Sequence, residues 1–583
     1  MKKFWAMLLA SMMALSLGAC NNQTPTEPTP PVEKNEIKTG TGTTRGFGGD
    51  VTVSVTVEGN KLTDVEIEGL NESLTIGSVV VNEMGQKMVD ANSIDVDSYS
   101  GATVTSAAVK SAAKKALEDA GVDKETLIPN ETKELSTEKV TTDVLVIGGG
   151  GAGIAAAVAA KEEGKDVVLL EKLSILGGNT ALSGGVITRA ATEGDPEGTM
   201  TADELYDFYM ETTGGEPDPE VVRRYVDESV ETTKWVHSMG SGVGETARFR
   251  TTPETIMAIQ PAKNSGRGLM APMIEEVHNA GVDVRLNMVA DELIVENNRV
   301  VGVKAKNKDG KTQEFYANQG VILATGGFPA NKELLAKYST LGADQAYTMC
   351  SVGTVGDGLL MGEKIGAAVR FGEDWDNIGS NTQLSAPYMV AFPQLYALMV
   401  NSSGKRFISE DAQRPTIYNE MLHQIAAGED GFYFVFDQNT VGEGYEAFVE
   451  SGDAFVADTI EELAEKMNVP TEEFEKTVNR YNELINQEDP DFNKPSKFML
   501  GVQEGPFIAA KTWPLRTSTI GGLVIDKDAH VLDDNDQTID GLYAAGEVAN
   551  YSFFHSVYST CGSAVGHAVI YGRIAGRNAA NGQ

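Results

Sequence analysis

The chain has 583 residues, of which 41% are hydrophobic and 22% charged, so it is long enough for roughly three or four domains with apolar cores. Its formal net charge of −37, with no basic stripe after the first three residues, argues against nucleic acid as a partner, since a phosphate backbone requires clustered lysines and arginines. Its three cysteines form no CxxC motif, which argues against a zinc ribbon, a dithiol site and a haem attachment site.

The N-terminus has the pattern of an export signal. Lys2 and Lys3 precede an apolar run at residues 4–17, which is too short to span a bilayer comfortably. The following Gly18-Ala19-Cys20 resembles the end of a bacterial lipoprotein signal, and the resemblance implies cleavage before Cys20 and a lipid on that cysteine. An ordinary secretory peptide that happens to contain Cys20 is the alternative.

The expected signal covers residues 1–20, and the polar, proline-rich residues 21–39 predict a tether. We therefore expect the mature protein to be lipid-anchored to the cell membrane, on its extracytoplasmic face.

Residues 40–121 predict a small α+β domain. Residues 51–57 and 62–67 alternate apolar and polar side chains on either side of Gly59-Asn60, which is typical of a β-hairpin. Apolar residues at helical spacing predict a helix at 79–89 and another that begins near Ser106.

Between these helices lies the sequence DSYSGATVT at residues 97–105, which resembles the flavinylation motif of FMN-binding domains in sodium-pumping quinone reductase subunits. The resemblance implies a covalent FMN, bound to Thr103 through a phosphoester. Gly101 and Ala102 leave room for a phosphate, and the start of a helix offers free N–H donors. The alternative is a serine- and threonine-rich turn that caps a helix.

After a charged linker at 122–142, the chain has the pattern of a dinucleotide-binding fold. The glycines of such a fold permit a tight turn, the N-terminus of the helix faces a pyrophosphate, and an acidic residue accepts from ribose hydroxyls. The order predicts a Rossmann-like α/β domain but does not distinguish NAD from FAD. Its parts are a strand at 143–147, Gly148, Gly150 and Gly153, a helix at 154–163, a strand at 167–170, and Glu171.

Downstream motifs resemble the fumarate reductase and succinate dehydrogenase flavoprotein superfamily, from residue 143 to the C-terminus. They are GGNT at 177–180, SGG at 183–185, ATGG at 324–327, GDG at 356–358 and GLYAAGE at 541–547. The resemblance implies a non-covalent FAD in a domain formed by residues 143–373 and 516–583, with an inserted α+β capping domain at 374–515. The residues implied to contact FAD are Lys172, Gly178, Asn179, Thr180, Gly184, Gly185, Thr325, Gly326, Asp357 and Glu547, in addition to those of the dinucleotide turn.

The expected catalytic arginine is Arg414. In soluble fumarate reductases the proton donor is an arginine seven residues after the phenylalanine of a Gly-Lys-Arg-Phe segment, and here Arg414 follows Phe407 at that distance. The resemblance therefore implies that Arg414 delivers a proton to the substrate. The Glu/Arg relay behind that arginine is replaced by Val390 and Pro393, so the alternatives are another proton path, an arginine that only binds substrate, or a plain surface arginine.

The substrate-binding residues depart from the family. Thr517 stands in place of a histidine and Ser559 in place of an arginine, so a dicarboxylate is doubtful, although Arg516 partly compensates. Residues 558–572 instead resemble the C-terminal segment of 3-ketosteroid dehydrogenases. That resemblance implies that Tyr558 and Gly562 polarise a ketone, whereas the alternative is that both only pack near the flavin.

Together these features predict an FAD-dependent oxidoreductase acting on CH–CH groups, which passes electrons from a membrane respiratory donor through FMN to FAD and then to an activated carbon–carbon double bond. The substrate is an enone, ketosteroid-like, or an enoate such as fumarate or urocanate. The alternatives are a lipoprotein electron shuttle without alkene chemistry and a dehydrogenase acting in the oxidative direction. No metal site is expected.

Overall fold

The computed structural model describes residues 37–46, 48–69, 77–96, 98, 102–129, 139–195, 198–241, 247–251, 254–259, 265–338, 346–372, 379–380, 386–412 and 414–582. Cys20, the expected signal and most of the tether lie outside these residues, as do Asp97, Gly101 and the side chains of Thr103 and Arg414. Among the helices of the described part, none is both long and apolar enough to cross a membrane.

The N-terminal domain (described residues 37–129) is a three-stranded antiparallel sheet covered by two helices. Its elements are β1 (Ile37–Arg45), β2 (Asp50–Glu58), β3 (Lys61–Glu68), α1 (Gly77–Ala91) and α2 (Thr103–Asp119), with the sheet order β1-β2-β3. The expected hairpin is confirmed, because the alternating valines of β2 all point into one core, whose β2 members are Val51, Val53, Val55 and Val57.

Strand β1 was not anticipated, and it begins within the segment expected to be the tether. Its sequence, IKTGTGTTR, has few apolar side chains, so the usual alternation is absent. The glycines instead allow α2 to lie directly on the strand, since a Cβ on Gly42 would stand 2.2 Å from the carbonyl oxygen of Ala112. This close packing fixes the helix that begins at Thr103 against the sheet.

The large domain is formed by the described residues of 139–372 and of 515–582. Its first part contains β4 (Val140–Ile147), α3 (Gly151–Glu162), β5 (Val167–Leu170), α4 (Gly178–Leu182), β6 (Ile187–Thr188), α5 (Ala202–Thr212), α6 (Pro219–Ser238), β7 (Ala247–Thr251), β8 (Glu254–Ile259), α7 (Ser265–Asn279), β9 (Asp283–Arg285), β10 (Met288–Glu296), β11 (Arg299–Asn307), β12 (Thr312–Leu323), α8 (Lys332–Tyr338), β13 (Tyr347–Thr348), α9 (Asp357–Lys364) and β14 (Val369–Arg370).

The capping domain is inserted between the two parts. It contains β15 (Gly379–Ser380), α10 (Ala386–Ala391), β16 (Leu398–Asn401), α11 (Arg414–Ala426), β17 (Phe432–Phe436), α12 (Glu446–Ser451), β18 (Ala454–Ala457), α13 (Ile460–Met467), α14 (Thr471–Glu483) and β19 (Phe507–Thr512). The chain returns to the large domain through β20 (Leu515–Arg516), β21 (Gly522–Leu523), β22 (His530–Leu532), β23 (Thr538–Ala544), α15 (Tyr551–Phe554) and α16 (Ser563–Asn581).

A central parallel sheet organises the large domain. Strands β9, β5, β4, β12 and β23 are parallel neighbours in that order, and β10, β11 and β22 extend the sheet with antiparallel pairs. Helix α3 connects β4 to β5 and is covered by α16, where a Cβ on Gly576 would lie 2.3 Å from the carbonyl oxygen of Ala156. The residues that follow the carboxyl ends of β4, β5, β12 and β23 therefore meet at one edge, where open α/β sheets bind ligands.

A small sheet joins the capping domain to the large domain. Strand β20 pairs with β13 on one side and with β15 on the other. Strands β15 and β20 are the incoming and outgoing ends of the cap, so both chain connections of the insertion lie side by side. The cap itself is built on an antiparallel sheet of order β16-β17-β19-β18.

Candidate active site

The turn after β4 is shaped by close backbone contacts. Gly148 has φ +108°, and a Cβ there would lie 2.3 Å from the carbonyl oxygen of Ala324. A Cβ on Gly153 would lie 1.8 Å from the carbonyl oxygen of Gly148. Helix α3 starts directly after Gly150 without a side-chain cap, which leaves its first N–H groups for a ligand.

Glu171 ties this turn to the end of β5. The N–H of Gly149 donates to its Oε2 at 2.7 Å, and the N–H of Leu173 donates to its Oε1 at 2.7 Å. The carboxyl is buried, and this burial raises its pKa. Each carboxylate oxygen keeps a further acceptor position, so Glu171 fits a role in binding ribose hydroxyls, and the whole turn fits the diphosphate and ribose of FAD.

Four other predicted cofactor residues meet beside this turn. Lys172 Nζ lies 2.6 Å from Asp357 Oδ2, and the N–H of Gly358 donates to Thr325 Oγ1 at 3.2 Å. Asp357 is the first residue of α9, and Gly326, next to Thr325, has φ +73°. The structure therefore brings together motifs that lie more than a hundred residues apart.

Asn179 and Glu547 form the centre of the site. Asn179 Nδ2 donates to Glu547 Oε2 at 3.1 Å, and Asn179 Oδ1 accepts from the N–H of Ser351 at 2.6 Å. Glu547 Oε1 accepts from the N–H of Thr519 at 2.8 Å, and burial raises the pKa of this carboxyl. Sequence reasoning missed Ser351 and Thr519, since nothing in their local sequence marks them.

The remaining residues of the predicted flavin loops pack around α3. Thr180 is buried, and its hydroxyl would stand 2.6 Å from a Cβ on Gly151. After Gly184, the N–H of Gly185 donates to Ser183 Oγ at 3.0 Å, with Gly185 at φ +67°. Gly178 begins α4 beside the dinucleotide turn, since a Cβ on Gly178 would lie 3.1 Å from the Cα of Gly150. These residues fit a loop that lies against a flavin.

Tyr558 and Gly562 are adjacent, but they do not form two parallel donors. The N–H of Gly562 donates to the hydroxyl oxygen of Tyr558 at 3.1 Å. Gly562 has φ +91° and precedes the first residue of α16. The tyrosine O–H is therefore the group left to donate outward, and burial raises the pKa of Tyr558, which keeps it protonated. In this arrangement the Gly562 N–H polarises Tyr558 rather than a substrate oxygen.

Arg516 lies where the chain returns from the cap to the large domain. It is fully buried in β20, where its Nε donates to the carbonyl oxygen of Pro329 at 3.1 Å and its Nη2 to Thr348 Oγ1 at 2.8 Å. The bond to Thr348 joins β20 to β13, and the bond to Pro329 joins β20 to the segment between β12 and α8. Its expected role in binding a carboxylate stays a prediction.

Thr517 and Ser559 are the residues predicted to stand where the family has charged groups. Thr517 is half-buried, and its carbonyl oxygen accepts from Asn179 at 3.4 Å. Ser559 is 2% exposed, and its hydroxyl has no hydrogen-bond partner among the described residues. Neither side chain offers the paired N–H donors that hold a carboxylate tightly.

A buried cluster of charges lies beneath the segment that leads to Arg414. Arg406 donates from Nε and Nη2 to both oxygens of Glu410, at 3.0 and 2.9 Å, and its Nη1 lies 2.8 Å from Asp489 Oδ2. Lys494 Nζ lies 3.1 Å from Glu410 Oε2 and donates to the Tyr481 hydroxyl at 2.7 Å. The side chains of Glu410, Asp489 and Lys494 are completely inaccessible to solvent.

This cluster holds the chain immediately before Arg414, the first residue of α11. Gln394 Nε2 also donates to the carbonyl oxygens of Glu410, at 2.8 Å, and of Ala412, at 3.3 Å. The side chain of Glu410 and the backbone carbonyls of Glu410 and Ala412 are therefore all held by hydrogen bonds, up to two residues before Arg414. Val390, at one of the relay positions, is 61% exposed and cannot carry a proton.

Apolar side chains are exposed in the segment next to Asn179. Tyr347 is 67% exposed and Val352 is 74% exposed, on either side of the Ser351 that Asn179 holds. Tyr347 also contacts Trp513 of the cap, with a ring-centroid distance of 6.1 Å. The other large apolar residues of this kind nearby in the sequence are Leu182 and Met349.

His567 is a buried imidazole one helical turn into α16. It is 1% exposed and stacks on Tyr571 with a centroid distance of 4.8 Å. Its Nε2 has no hydrogen-bond partner within the described ranges, and burial lowers its pKa from 6.5 to about 3. The ring is therefore neutral throughout the physiological range.

Two family models match the chain. The model for the FAD binding domain matches residues 143–565, and the model for the FMN-binding domain matches residues 46–118. These matches confirm FAD and FMN as the cofactors of the two domains. The attachment of FMN to Thr103 stays a prediction.

Two characterised proteins are similar over almost the whole chain. An NADH:acrylate oxidoreductase of Vibrio harveyi is 31% identical over 614 residues, which cover 92% of this chain and 60% of that protein. A urocanate reductase of Eggerthella lenta is 32% identical over 577 residues, which cover 93% of this chain and 92% of that protein. The chain thus spans less than two thirds of the first relative and nearly all of the second.

Among solved structures, the open conformation of a flavocytochrome c3 fumarate reductase aligns with a TM-score of 0.63 at 28% identity. The alignment covers 76% of this chain and 78% of that one. This confirms an FAD-binding fold similar to that of fumarate reductase flavoproteins.

The buried charge cluster predicts a large effect of Glu410→Gln on stability. The substitution leaves Arg406 and Lys494 buried with one carboxylate fewer, and breaking a buried pair costs about 3–5 kcal/mol. Urea unfolding should show this loss, whereas Glu483→Gln, which removes an exposed partner of Arg480, should change stability far less. Equal effects of the two substitutions would contradict the structural role given to Glu410.

The burial of His567 predicts an acid-dependent loss of stability. The unfolded chain takes up a proton near pH 6.5 whereas the folded imidazole does so near pH 3, so the contribution is complete above 6.5 and is lost as the pH falls. Between these values the free energy of unfolding should fall by about 1.4 kcal/mol per pH unit from this group.

The variant His567→Phe should lack this component when unfolding is measured from pH 7 to pH 5. His530→Asn is the matched control, since His530 Nδ1 lies 2.9 Å from a carboxylate of Asp526 and is partly exposed. A pH dependence of His567→Phe identical to that of the unsubstituted protein would show that the imidazole is not held neutral.

Proposed function

Because the chain belongs to the fumarate reductase superfamily of FAD-dependent oxidoreductases and also carries an FMN-binding domain, we propose that it reduces a carbon–carbon double bond activated by a carboxylate. FAD bound in the large domain supplies the hydride, and FMN on the N-terminal domain supplies electrons taken from a donor of the membrane respiratory chain. Both similar proteins named above act on enoates, acrylate and urocanate, which supports this substrate class.

The observation that carries the proposal is the meeting of separate segments at Asn179 and Glu547. Hydrogen bonds join four segments of the large domain there. They are the loop after β5 with Asn179, the segment at Ser351, the segment at Thr519, and the segment after β23 with Glu547. Arg414, the expected proton donor, is the first residue of helix α11 in the cap. A cap closing over this centre would exclude water from hydride transfer.

The residues present favour an enoate with one carboxylate. Thr517 and Ser559 provide no charged group that could bind a second carboxylate. Arg516 donates hydrogen bonds to Pro329 and Thr348. The exposed apolar residues near Asn179, such as Tyr347 and Val352, suit a substrate with an apolar or aromatic substituent. A dicarboxylate such as fumarate therefore fits less well than an acrylate-type acid.

An enone is the second candidate, and Tyr558 is the observation that favours it. Its O–H, polarised by the Gly562 N–H, is placed to donate to a ketone oxygen. Only one donor then reaches that oxygen, because the glycine N–H is already used.

In the proposed reaction Arg414 binds the substrate and gives a proton to the carbon next to the one that receives the hydride. A guanidinium remains charged at ordinary pH, so the transfer requires that the growing carbanion takes the proton from a donor already in contact. The relay positions of the family hold Val390 and Pro393, so the arginine is reprotonated by a different path.

We also propose that the protein is lipid-anchored through Cys20 on the extracytoplasmic face. The signal pattern before Cys20 and the proline-rich residues 21–39 support this location. It would place the FMN-binding domain next to membrane electron donors.

An anaerobic substrate panel tests the proposal. Protein loaded with both flavins is reduced with viologen and mixed with acrylate, urocanate, an aryl acrylate, fumarate or a 3-keto-Δ4 steroid. Reoxidation by a monocarboxylic acid supports the enoate, and reoxidation by the steroid alone supports Tyr558 as a ketone donor. No reoxidation by any of them would overturn the reductase and leave the electron shuttle, while reduction of the protein by a saturated substrate would indicate an oxidative dehydrogenase.

The variant Arg414→Gln is expected to lower the rate of alkene reduction by about 100-fold or more, because proton transfer by a placed group contributes about 10²–10⁴. Reduction of the flavins by viologen should not change. Arg480→Gln is the matched control, since Arg480 lies on the surface of the cap and pairs with Asp491 and Glu483. Equal activity of both variants would show that Arg414 is not the acid.

The variant Thr103→Val is expected to abolish covalent FMN, because it removes the hydroxyl that would form the phosphoester. Intact-mass spectrometry of the denatured protein should show the loss of one FMN, while FAD is still released. Thr63→Val, at an exposed threonine of the same domain, should retain the added mass. Covalent FMN in Thr103→Val would place the attachment elsewhere.

A further inference from the structure

We propose that the N-terminal domain docks onto the loop between β5 and α4 through Ile175, and that this contact is where electrons pass from the FMN-binding domain to the FAD-binding domain. The proposal rests on the function given above and specifies the interface within the chain that the function requires. We call residues 171–177 the docking loop.

Ile175 connects two hydrophobic cores. Its neighbours Ser174 and Leu176 are buried, and Leu176 belongs to the core of the large domain. Ile175 itself packs against the core of the N-terminal domain. Among the described residues that pack against this core, it is the one that belongs to the large domain. A side chain that leaves its own domain to join the core of another marks a specific contact between them.

The docking loop is held rigidly at both ends. Glu171 binds the N–H groups of Gly149 and Leu173, and the carbonyl oxygen of Leu173 accepts from the N–H of Asn287 at 3.0 Å. At the other end, the N–H of Gly177 donates to the carbonyl oxygen of Gly149 at 2.8 Å. Ile175 is therefore fixed relative to the turn that fits the diphosphate of FAD.

The docking loop also leads directly into the centre of the site. Asn179, which bonds to Glu547, follows Ile175 by four residues. A domain seated on Ile175 consequently lies beside the FAD site rather than at a remote surface of the large domain.

On the N-terminal domain, apolar residues flank the flavinylation motif. Val96, directly before the motif, packs partly buried against the same core as Ile175. Val104, directly after Thr103, is 55% exposed although it is apolar. The contact and the expected FMN attachment thus share one region of the small domain.

Among the residues that the structure describes, Ile175 is the large-domain side chain that packs against the N-terminal core, so it is the apolar anchor of the contact. Interfaces between domains of one chain that bury little apolar area allow relative motion. Such a contact suits a domain that docks and separates during turnover. Each turnover moves two electrons across it: the reduced donor is oxidised, and the alkene gains a hydride and a proton.

The test uses full-length protein with both flavins, reduced by stoichiometric dithionite and mixed anaerobically with the best enoate of the panel. Two electrons leave the FAD site in a first phase, and the two held at the FMN site leave in a second phase that must cross the contact. Ile175→Glu should leave the first phase unchanged and slow the second by at least tenfold. Ile175→Ala, which only shortens the side chain, should slow it in the same direction.

Val295→Glu is the matched control, because Val295 is an exposed apolar residue of β10, 46% accessible, outside the contact. Hydrogen exchange of the docking loop, measured on the oxidised protein with both flavins and without substrate, provides a readout that is independent of activity. It should increase in Ile175→Glu and stay unchanged in Val295→Glu.

An unchanged second phase together with unchanged exchange in both Ile175 variants would overturn the docking proposal. If no enoate produces even the first phase in the unsubstituted protein, the proposed function fails. The exchange measurement still decides whether the two domains meet at Ile175.

Discussion

The carboxylate of Glu171 is the interaction on which the cofactor site depends. It binds the N–H of Gly149 in the dinucleotide turn and the N–H of Leu173 in the following loop, so one buried group orients both. The turn places the free N–H groups of α3, and the loop continues to Asn179 and Glu547. A buried carboxyl is costly unless it is bonded, and here the backbone supplies both bonds. The geometry of the phosphate turn and that of the flavin loop are thereby linked.

The cap uses charge differently from the large domain. Around Glu410, two cations and a second carboxylate are buried together, with no solvent contact for three of the four side chains. Such clusters contribute little net stability but specify one arrangement of the chain, because any other leaves a charge unpaired. Here the specified arrangement is that of the segment leading to Arg414, the residue that we propose as the proton donor and whose position would then matter most.

The sequence predicted the elements whose pattern is local. The alternating valines of β2 indicated the hairpin, and the order of strand, glycines, helix and acid indicated the turn at Gly148. Strand β1 was not predicted, because it has glycine and threonine where a strand usually has apolar residues. The close packing of α2 on the strand explains these glycines. The contact of Asn179 with Glu547 joins residues 368 positions apart, so no local pattern reveals it. The hydrogen bonds of Arg516 to Pro329 and Thr348 show the same limit, because they join residues 187 and 168 positions apart in the sequence.

The attachment of the cap has an evolutionary consequence. Its incoming strand β15 and outgoing strand β20 are antiparallel neighbours, so the two ends of the insertion lie about 5 Å apart. A segment whose ends meet is exchangeable for another of different length without stretching the sheet that carries the flavin. Recombination at this junction would change the cap while the sheet that carries the cofactor site stays intact. The architecture thus allows new substrates to be acquired by replacing one module.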